Sequence, residues 1–281
     1  MASFKLSPLI VENFVRSALL EDLNGGIDVT SSYIVKPETQ ITGQIVSRSR
    51  GVIAGLEFCK QAFLITNSDL KVEPLLIDGD TAEKGQAIFR VNGCARSILT
   101  AERTALNFLS HLSGIATATR QLVDIVSETN VRICCTRKTT PLIRSAEKFA
   151  VICGGGYNHR FGLNDAVLVK DNHLVAAAGV VEAVKSLRAK ISHVLKIEVE
   201  VDQIEQIEPI VTAGADIIML DNMSPVMMKD AVALINGRAL VEASGSINKD
   251  NILAVAESGV DVISVGWITH SAPSIDIGLD F

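Results

Sequence analysis

The sequence predicts an α/β protein in two parts, an α+β unit followed by parallel βα units. Three observations carry this. Up to about residue 112, apolar runs of alternating character stand between turn signals; after it, six short β-rich runs alternate with helix-like segments. Two of those later helices end in glycine just before the next strand, in TAGAD and ESGVD, as a left-handed C-cap requires.

In chain order, an amphipathic helix opens the sequence over Ile10 to Leu20. ITGQIVSRS (41–49) and QAIFRV (86–91) alternate as antiparallel strands do, with DGD and EKG as turns. From Ser97 a long helical pattern runs to about residue 128, with a break expected near Gly114, and carries the chain into its second part. There VRICC (131–135), AVLVK (166–170), VLKIEVE (194–200), DIIML (216–220), ALVEA (239–243) and DVISV (261–265) read as strands apolar on both faces, the mark of a parallel sheet. Six repeats favour a barrel, complete or not, over an open doubly wound sheet, a choice that periodicity alone leaves open.

Composition limits the partners. A formal net charge of -6 argues against nucleic acid, because a polyphosphate needs a broad basic face. The N-terminus carries charges among its apolar residues and no later run is long enough to span a bilayer, so a cytoplasmic protein is expected, without membrane partners. Five cysteines without a CxxC pair fit neither a disulfide framework nor a zinc site and read as buried, reduced thiols.

Against that acidic background, CTRKTTPLIRSAEKFAVICGGGYNHRFGLNDAVLVKDNH (135–173) holds eight cationic or histidine side chains. In a βα barrel, chemistry sits in the loops beyond the C-terminal ends of the strands. Those positions are Arg137 and Lys138, Lys170, Glu200, Asp221, Ser244 to Ser246, and Gly266. One charge after a strand usually just meets water, but recurrence strand after strand favours function. Arg137, Lys138, His159, Arg160 and Lys170 would converge where only an anionic occupant relieves their repulsion, and a substrate with more than one carboxylate or phosphate fits. ASGSIN and SVGWITHS, after the last two strands, offer backbone N–H groups and close approach to a phosphate. Glu200 and Asp221, on neighbouring strands, suit a divalent cation or a ribose hydroxyl. The GGGYNHRFG loop supplies mobility and backbone donors; its glycines form no GxGxxG after a strand, which excludes a dinucleotide fingerprint.

EDLNGGIDVTS (21–31), AERTALNFLSHLSGIAT, TRKTTP, GGGYNHRFGLNDAVLVKDNH, IEVEV, IMLDNM, EASGSI and VDVISVGWITHS, in this order and over nearly the whole chain, resemble the nicotinate-nucleotide diphosphorylase (carboxylating), or quinolinate phosphoribosyltransferase, family. The resemblance implies phosphoribosyl transfer from 5-phosphoribosyl 1-diphosphate to quinolinate, with loss of CO2 and Mg2+ dependence, giving nicotinate mononucleotide. It implies an N-terminal α+β sandwich-like domain (1–112, with the tail 270–281 packing back on it) and an incomplete α/β, TIM-like barrel (113–269). It also implies a homodimer, or a higher oligomer built on it, with shared active sites. By the same resemblance Arg137, His159, Arg160 and Lys170 cradle quinolinate, with Arg103 supplied by the neighbouring subunit. Lys138, Glu200, Asp221, Ser244, Gly245, Ser246, Gly266 and His270 surround the phosphoribosyl diphosphate. Lys138, Lys170, Glu200 and Asp221 are the catalytic candidates, and Glu200 and Asp221 face the metal.

Three positions depart from the family pattern: Leu142 and Ser246 stand where glycine is common and Trp267 where a small residue is common. None removes a charged group. The alternatives are a relative acting on another base, like the molybdenum-operon homologues, a Schiff-base sugar-phosphate aldolase using Lys170 or Lys138, and a phosphate-sensing barrel.

Overall fold

A computed structural model of the chain describes residues 5–170, 173 and 179–281, so Asp171 and Asn172 of the VKDNH block lie outside the described residues. The chain divides into two units, one of Met1–Arg120, Thr139–Gly155 and Ile268–Phe281, the other of Gln121–Lys138 and Gly156–Trp267.

In the first unit, α1 (Pro8–Leu23) starts with proline at its first turn, where the missing N–H costs nothing, and ends at Asn24 in the left-handed region. Its buried residues Val11, Val15 and Leu19 recur every four positions, forming one stripe. A short α2 (Val29–Ile34) follows, capped by the Asp28 side chain on the Ser31 N–H. Strands β1 (Gln40–Ser47), β2 (Gly51–Val52), β3 (Lys71–Pro74), β4 (Thr81–Ala82) and β5 (Ala87–Cys94) surround α3 (Leu56–Thr66) in the sequence, and Phe58 of α3 meets Phe14 of α1 at a ring distance of 6.3 Å. β5 and β3 pair antiparallel, as do β5 and β1. The last strand of the chain, β12 (Ile277–Asp280), adds itself to β1 antiparallel, completing a four-stranded sheet β12-β1-β5-β3, and Arg48 forks onto Asp280 beside it.

Helix α4 (Ala95–Ile125) runs 31 residues without the break expected at Gly114. The glycine is there for space rather than for flexibility. A Cβ at Gly114 would collide with the Pro273 carbonyl and lie 2.9 Å from Ser274 Cα, so only glycine lets that backbone cross the helix.

In the second unit every expected strand forms: β6 (Arg132–Cys134), β7 (Val167–Val169), β8 (Ile197–Val201), β9 (Ile217–Asp221), β10 (Leu240–Ser244) and β11 (Val262–Ser264). Between them run α5 (Arg144–Cys153), which clusters with the first unit, then α6 (Val180–Lys190), α7 (Ile207–Thr212), α8 (Pro225–Ile235) and α9 (Ile252–Ala256), with α10 (Trp267–His270) after β11. Gly214 and Gly259 hold φ of 96° and 93° after α7 and α9, the left-handed caps expected from TAGAD and ESGVD. The strands are all parallel in the order β6-β11-β10-β9-β8-β7. Placing the first strand beside the last is the order of a barrel, and β6 and β7 share no ladder among the described residues, which leaves it incomplete. No helix among the described residues is long and apolar enough to cross a membrane.

Candidate active site

Strand register places the predicted rim residues in two level pairs, Lys170 with Glu200 and, two residues further along, Asp221 with Ser244. Val169 of β7 pairs with Val199 of β8, so Lys170 stands beside Glu200, and its Nζ donates to Glu200 Oε2 at 2.6 Å. Glu200 pairs across to Met219 of β9, and Asp221, two residues on, pairs with Ser244 of β10. Lys170, Glu200, Asp221 and Ser244 therefore line the C-terminal ends of four adjacent strands.

At the end of β10 the chain bends through Gly245 at φ 97° and Ser246 at φ 49°. Gly245 is required twice over: its φ excludes most side chains, and a Cβ would run into the Asn222 side chain and lie 2.8 Å from Asn222 N. Asn222, itself at φ 54°, turns its amide onto Asp221 Oδ2 at 2.7 Å and donates its N–H to Ser244 O at 2.9 Å. The N–H groups of Gly245 and Ser246 take no partner among the described residues. Trp267, a departure from the family pattern, donates its indole N–H to Ile247 O at 3.1 Å, which ties the segment after β11 to the loop after β10. Gly266 lies just before it in the same unit, whereas His270, exposed and bonded to Ser271 Oγ at 2.6 Å, counts with the first unit.

Arg137, partly buried, and Lys138, exposed, follow β6, with Lys138 N donating to Thr136 Oγ1 at 3.0 Å. In the first unit the same loop continues to Glu147, fully buried, which accepts from Thr140 N at 3.0 Å and meets His111 Nε2 at 2.9 Å. Leu142 is 91% exposed at φ 71°, so the position does demand the conformation that glycine adopts freely, and leucine holds it with strain. Arg144 bonds Thr139 Oγ1 at 3.0 Å and Lys148 is fully buried, so these two cations of the basic stretch serve the first unit.

The loop expected to be mobile is pinned at Tyr157, which exchanges backbone bonds with β6, from Tyr157 N to Ile133 O at 2.8 Å and from Cys135 N to Tyr157 O at 3.1 Å. Just beyond it His159 turns inward. Its Nε2 lies 3.0 Å from Glu198 Oε2 and 3.6 Å from Glu242 Oε1, and its Nδ1 accepts the Arg160 N–H at 2.7 Å. Arg160 Nη1 donates to Ala166 O at 3.0 Å, while its Nε is buried with no hydrogen-bond partner among the described residues. Burial, followed by the neighbouring Arg137 charge, holds the Arg160 guanidinium below its ordinary pKa, against the pull of Glu198 and Asp165. Asp165, itself opposed by burial, closes the loop by accepting from the N–H groups of Phe161 at 2.5 Å and Gly162 at 3.0 Å, which hold its carboxyl below the usual range.

The two glutamates escaped the sequence reading. Glu198 and Glu242 are 2% and 4% exposed and sit inside strands read as apolar. Burial first, then the Glu198 charge, raises Glu242 to about 7, with His159 pulling the other way. The available signal was the alternation IEVEV, which puts Glu198 on the same face of β8 as the rim residue Glu200.

Arg103 lies exposed on α4 in the first unit and makes no ion pair with a described residue. A cavity of about 390 Å³ in that unit, lined by Ala18, Glu21, Asp22, Thr104, Asn107 and His111, contains none of the predicted site residues, and its carboxylates do not suit an anionic ligand. Two of the five cysteines, Cys94 and Cys153, are only partly buried, and none of the five is in a disulfide.

Comparison with known proteins gives the family. The family described as quinolinate phosphoribosyl transferase, N-terminal domain, matches residues 28–113, and its C-terminal domain matches residues 115–280. The chain is 42% identical over 274 residues to the nicotinate-nucleotide pyrophosphorylase [carboxylating] of Mycobacterium leprae, covering 95% of each chain. It is 39% identical over 275 residues to a probable enzyme of the same name from Bacillus subtilis, covering 98% of this chain and 94% of that one. Among solved structures, the nicotinate-nucleotide pyrophosphorylase from Francisella tularensis superposes with a TM-score of 0.94 at 38% identity, over 98% of this chain and 97% of the other. With both domains matched in order and relatives similar along their whole length, the chain belongs to the quinolinate phosphoribosyl transferase family.

Proposed function

We propose that this protein is a nicotinate-nucleotide diphosphorylase (carboxylating). It transfers the phosphoribosyl group of 5-phosphoribosyl 1-diphosphate to quinolinate and releases diphosphate and CO2. Beyond family membership, the observation that carries this reading is Arg160, a guanidinium next to Arg137 with a buried Nε that has no described partner. A planar dicarboxylate supplies the fork that such a guanidinium matches and offsets the repulsion between the two arginines.

In this reading Arg137, Arg160 and Lys170 hold the two carboxylates of quinolinate, so the ring nitrogen faces the anomeric carbon. Ser244, Gly245 and Ser246 offer N–H and hydroxyl donors to the 5-phosphate, and Lys138 lies close to both substrates. As diphosphate leaves, positive charge develops on the ribose, where the carboxylates of Glu200 and Asp221 stabilise it. The ring nitrogen bonds to the anomeric carbon as that carbon's bond to diphosphate breaks. The pyridinium so formed then loses the adjacent carboxylate as CO2, and the carbanion left behind, stabilised by the adjoining N⁺, takes a proton to give nicotinate mononucleotide. The protein's work is orientation and charge stabilisation.

Mg2+ fits Glu200 and Asp221, which supply oxygen donors from adjacent strand ends, the one or two carboxylates this ion uses alongside substrate phosphates. Bound there with the substrate, the ion would neutralise charge on the leaving diphosphate. Incubation with quinolinate, phosphoribosyl diphosphate and Mg2+ should yield nicotinate mononucleotide and CO2 in equal amounts, and excess chelator should stop turnover. Labelling of Lys170 or Lys138 by borohydride with a carbonyl substrate would instead favour the aldolase reading.

We further place the protein in the cytoplasm as a homodimer whose sites are shared, with Arg103 of one subunit completing the site of the other. Arg103→Ala and Lys170→Ala should each be inactive alone. After subunit exchange, random pairing makes half the dimers mixed, each with one intact site of two, so about a quarter of wild-type activity should return. No recovery despite demonstrated exchange would refute the trans arrangement.

A further inference from the structure

His159, expected from the resemblance to touch quinolinate, sits in a buried trio with Glu198 and Glu242, and the two glutamates belong to none of the roles above. The trio's ligand atoms lie within 4.8 Å of one another, a spacing open to a metal ion. The hydrogen bonds argue against one. A ring whose Nδ1 accepts the Arg160 N–H at 2.7 Å carries its own proton on Nε2, and a protonated nitrogen does not bind metal. The same proton suits a carboxylate, and Glu198 Oε2 stands 3.0 Å away.

We propose that Glu198 is a positioning residue of the quinolinate site: it holds the His159 imidazole by Nε2–H, so that Nδ1 fixes the backbone of Arg160 and thereby aims its guanidinium. The chain of contacts is continuous, from Glu198 to His159 at 3.0 Å, from His159 Nδ1 to Arg160 N at 2.7 Å, and from Arg160 Nη1 to Ala166 O at 3.0 Å. Glu198 also faces Arg160 electrostatically, so a single buried carboxylate supports both neighbours in the sequence. Glu242, at 3.6 Å from the same nitrogen, backs the contact from the other side of β9. An imidazole gripped at both nitrogens has one orientation, and a guanidinium site loose by an ångström loses much of its recognition.

The proposal rests on the quinolinate reading, and its test separates the two. Nitrogen-15 NMR of histidine-labelled protein, with the signal assigned by its loss in His159→Gln, needs no substrate: wild type should show His159 protonated at Nε2 and bare at Nδ1. The opposite tautomer would overturn the proposal even if the enzyme turns over quinolinate. In steady-state kinetics, Glu198→Met should raise the KM for quinolinate about tenfold or more, with the KM for phosphoribosyl diphosphate changed less than about twofold, the scale of one lost charge-assisted hydrogen bond. Glu198→Gln, which keeps an acceptor oxygen, should recover part of that loss. Equal rises in both KM values, or unchanged quinolinate KM in a folded Glu198→Met protein, would sink it. Absence of any turnover by wild type would instead remove the quinolinate reading and leave the tautomer measurement standing.

Discussion

Glu198 and Glu200 lie two residues apart on one strand and face the same way, yet they live in different chemistry. Glu200 sits at the strand end, 15% exposed, with Lys170 Nζ at 2.6 Å. Glu198 is one step deeper, 3% exposed at its side chain, with His159 at 3.0 Å and the Glu242 carboxylate nearby. A carboxylate at the rim can exchange its partner for substrate or metal, because water and ligand reach it. One on the floor depends on the fold for its partner, since desolvating a charge costs several kcal/mol: Glu198 Oε2 has His159, while Glu198 Oε1 and Glu242 Oε1 are buried with no hydrogen-bond partner among the described residues. In the proposed reading, depth along a strand of this barrel separates residues that meet ligands from residues that hold them in place.

That division can be broken most directly at the rim. Arg160→Ala should lower kcat/KM for quinolinate by roughly a hundredfold to a thousandfold, the scale of breaking a desolvated charge pair, while the thermal midpoint moves little. Steady-state kinetics beside thermal unfolding would check it; a midpoint that falls in step with activity would mean that rim and floor are not distinct.

The floor should respond to pH. Burial and Glu198 raise Glu242 to about 7 from 4.5, so the folded protein keeps a proton that the unfolded chain gives up. The stability Glu242 contributes is complete below pH 4.5 and is lost as pH rises through about 7. Glu242→Gln, which cannot ionise, should thus gain on wild type between pH 5 and pH 8, by on the order of 1–3 kcal/mol in urea unfolding. A difference that stays constant across that range would show that Glu242 does not change its protonation there.

The smallest effect belongs to a position with neither depth nor charge. Leu142→Gly should relieve the strain of φ 71° and raise stability by about 0.5–1 kcal/mol, seen as roughly 1–3 °C in the thermal midpoint. A loss of stability would mean that the entropy glycine adds to the unfolded chain outweighs the strain.

Much of this was legible in the linear sequence. Strand runs such as DIIML and ALVEA fell where β9 and β10 form, and the glycines of TAGAD and ESGVD cap helices, because hydrophobic period and left-handed φ are local properties. Lys170, Glu200, Asp221 and Ser244 could be nominated as strand-end residues for the same reason. Folding alone revealed that Gly114 serves a close crossing by Pro273, that β12 completes the first sheet, and that Arg144 and Lys148 leave the cationic group for the other unit. It also brought Glu198 and Glu242, 44 positions apart, onto one imidazole. Contacts of that kind depend on which strands become neighbours and which way each side chain faces, and a glutamate in an apolar strand carries no local mark of the partner that makes its burial tolerable.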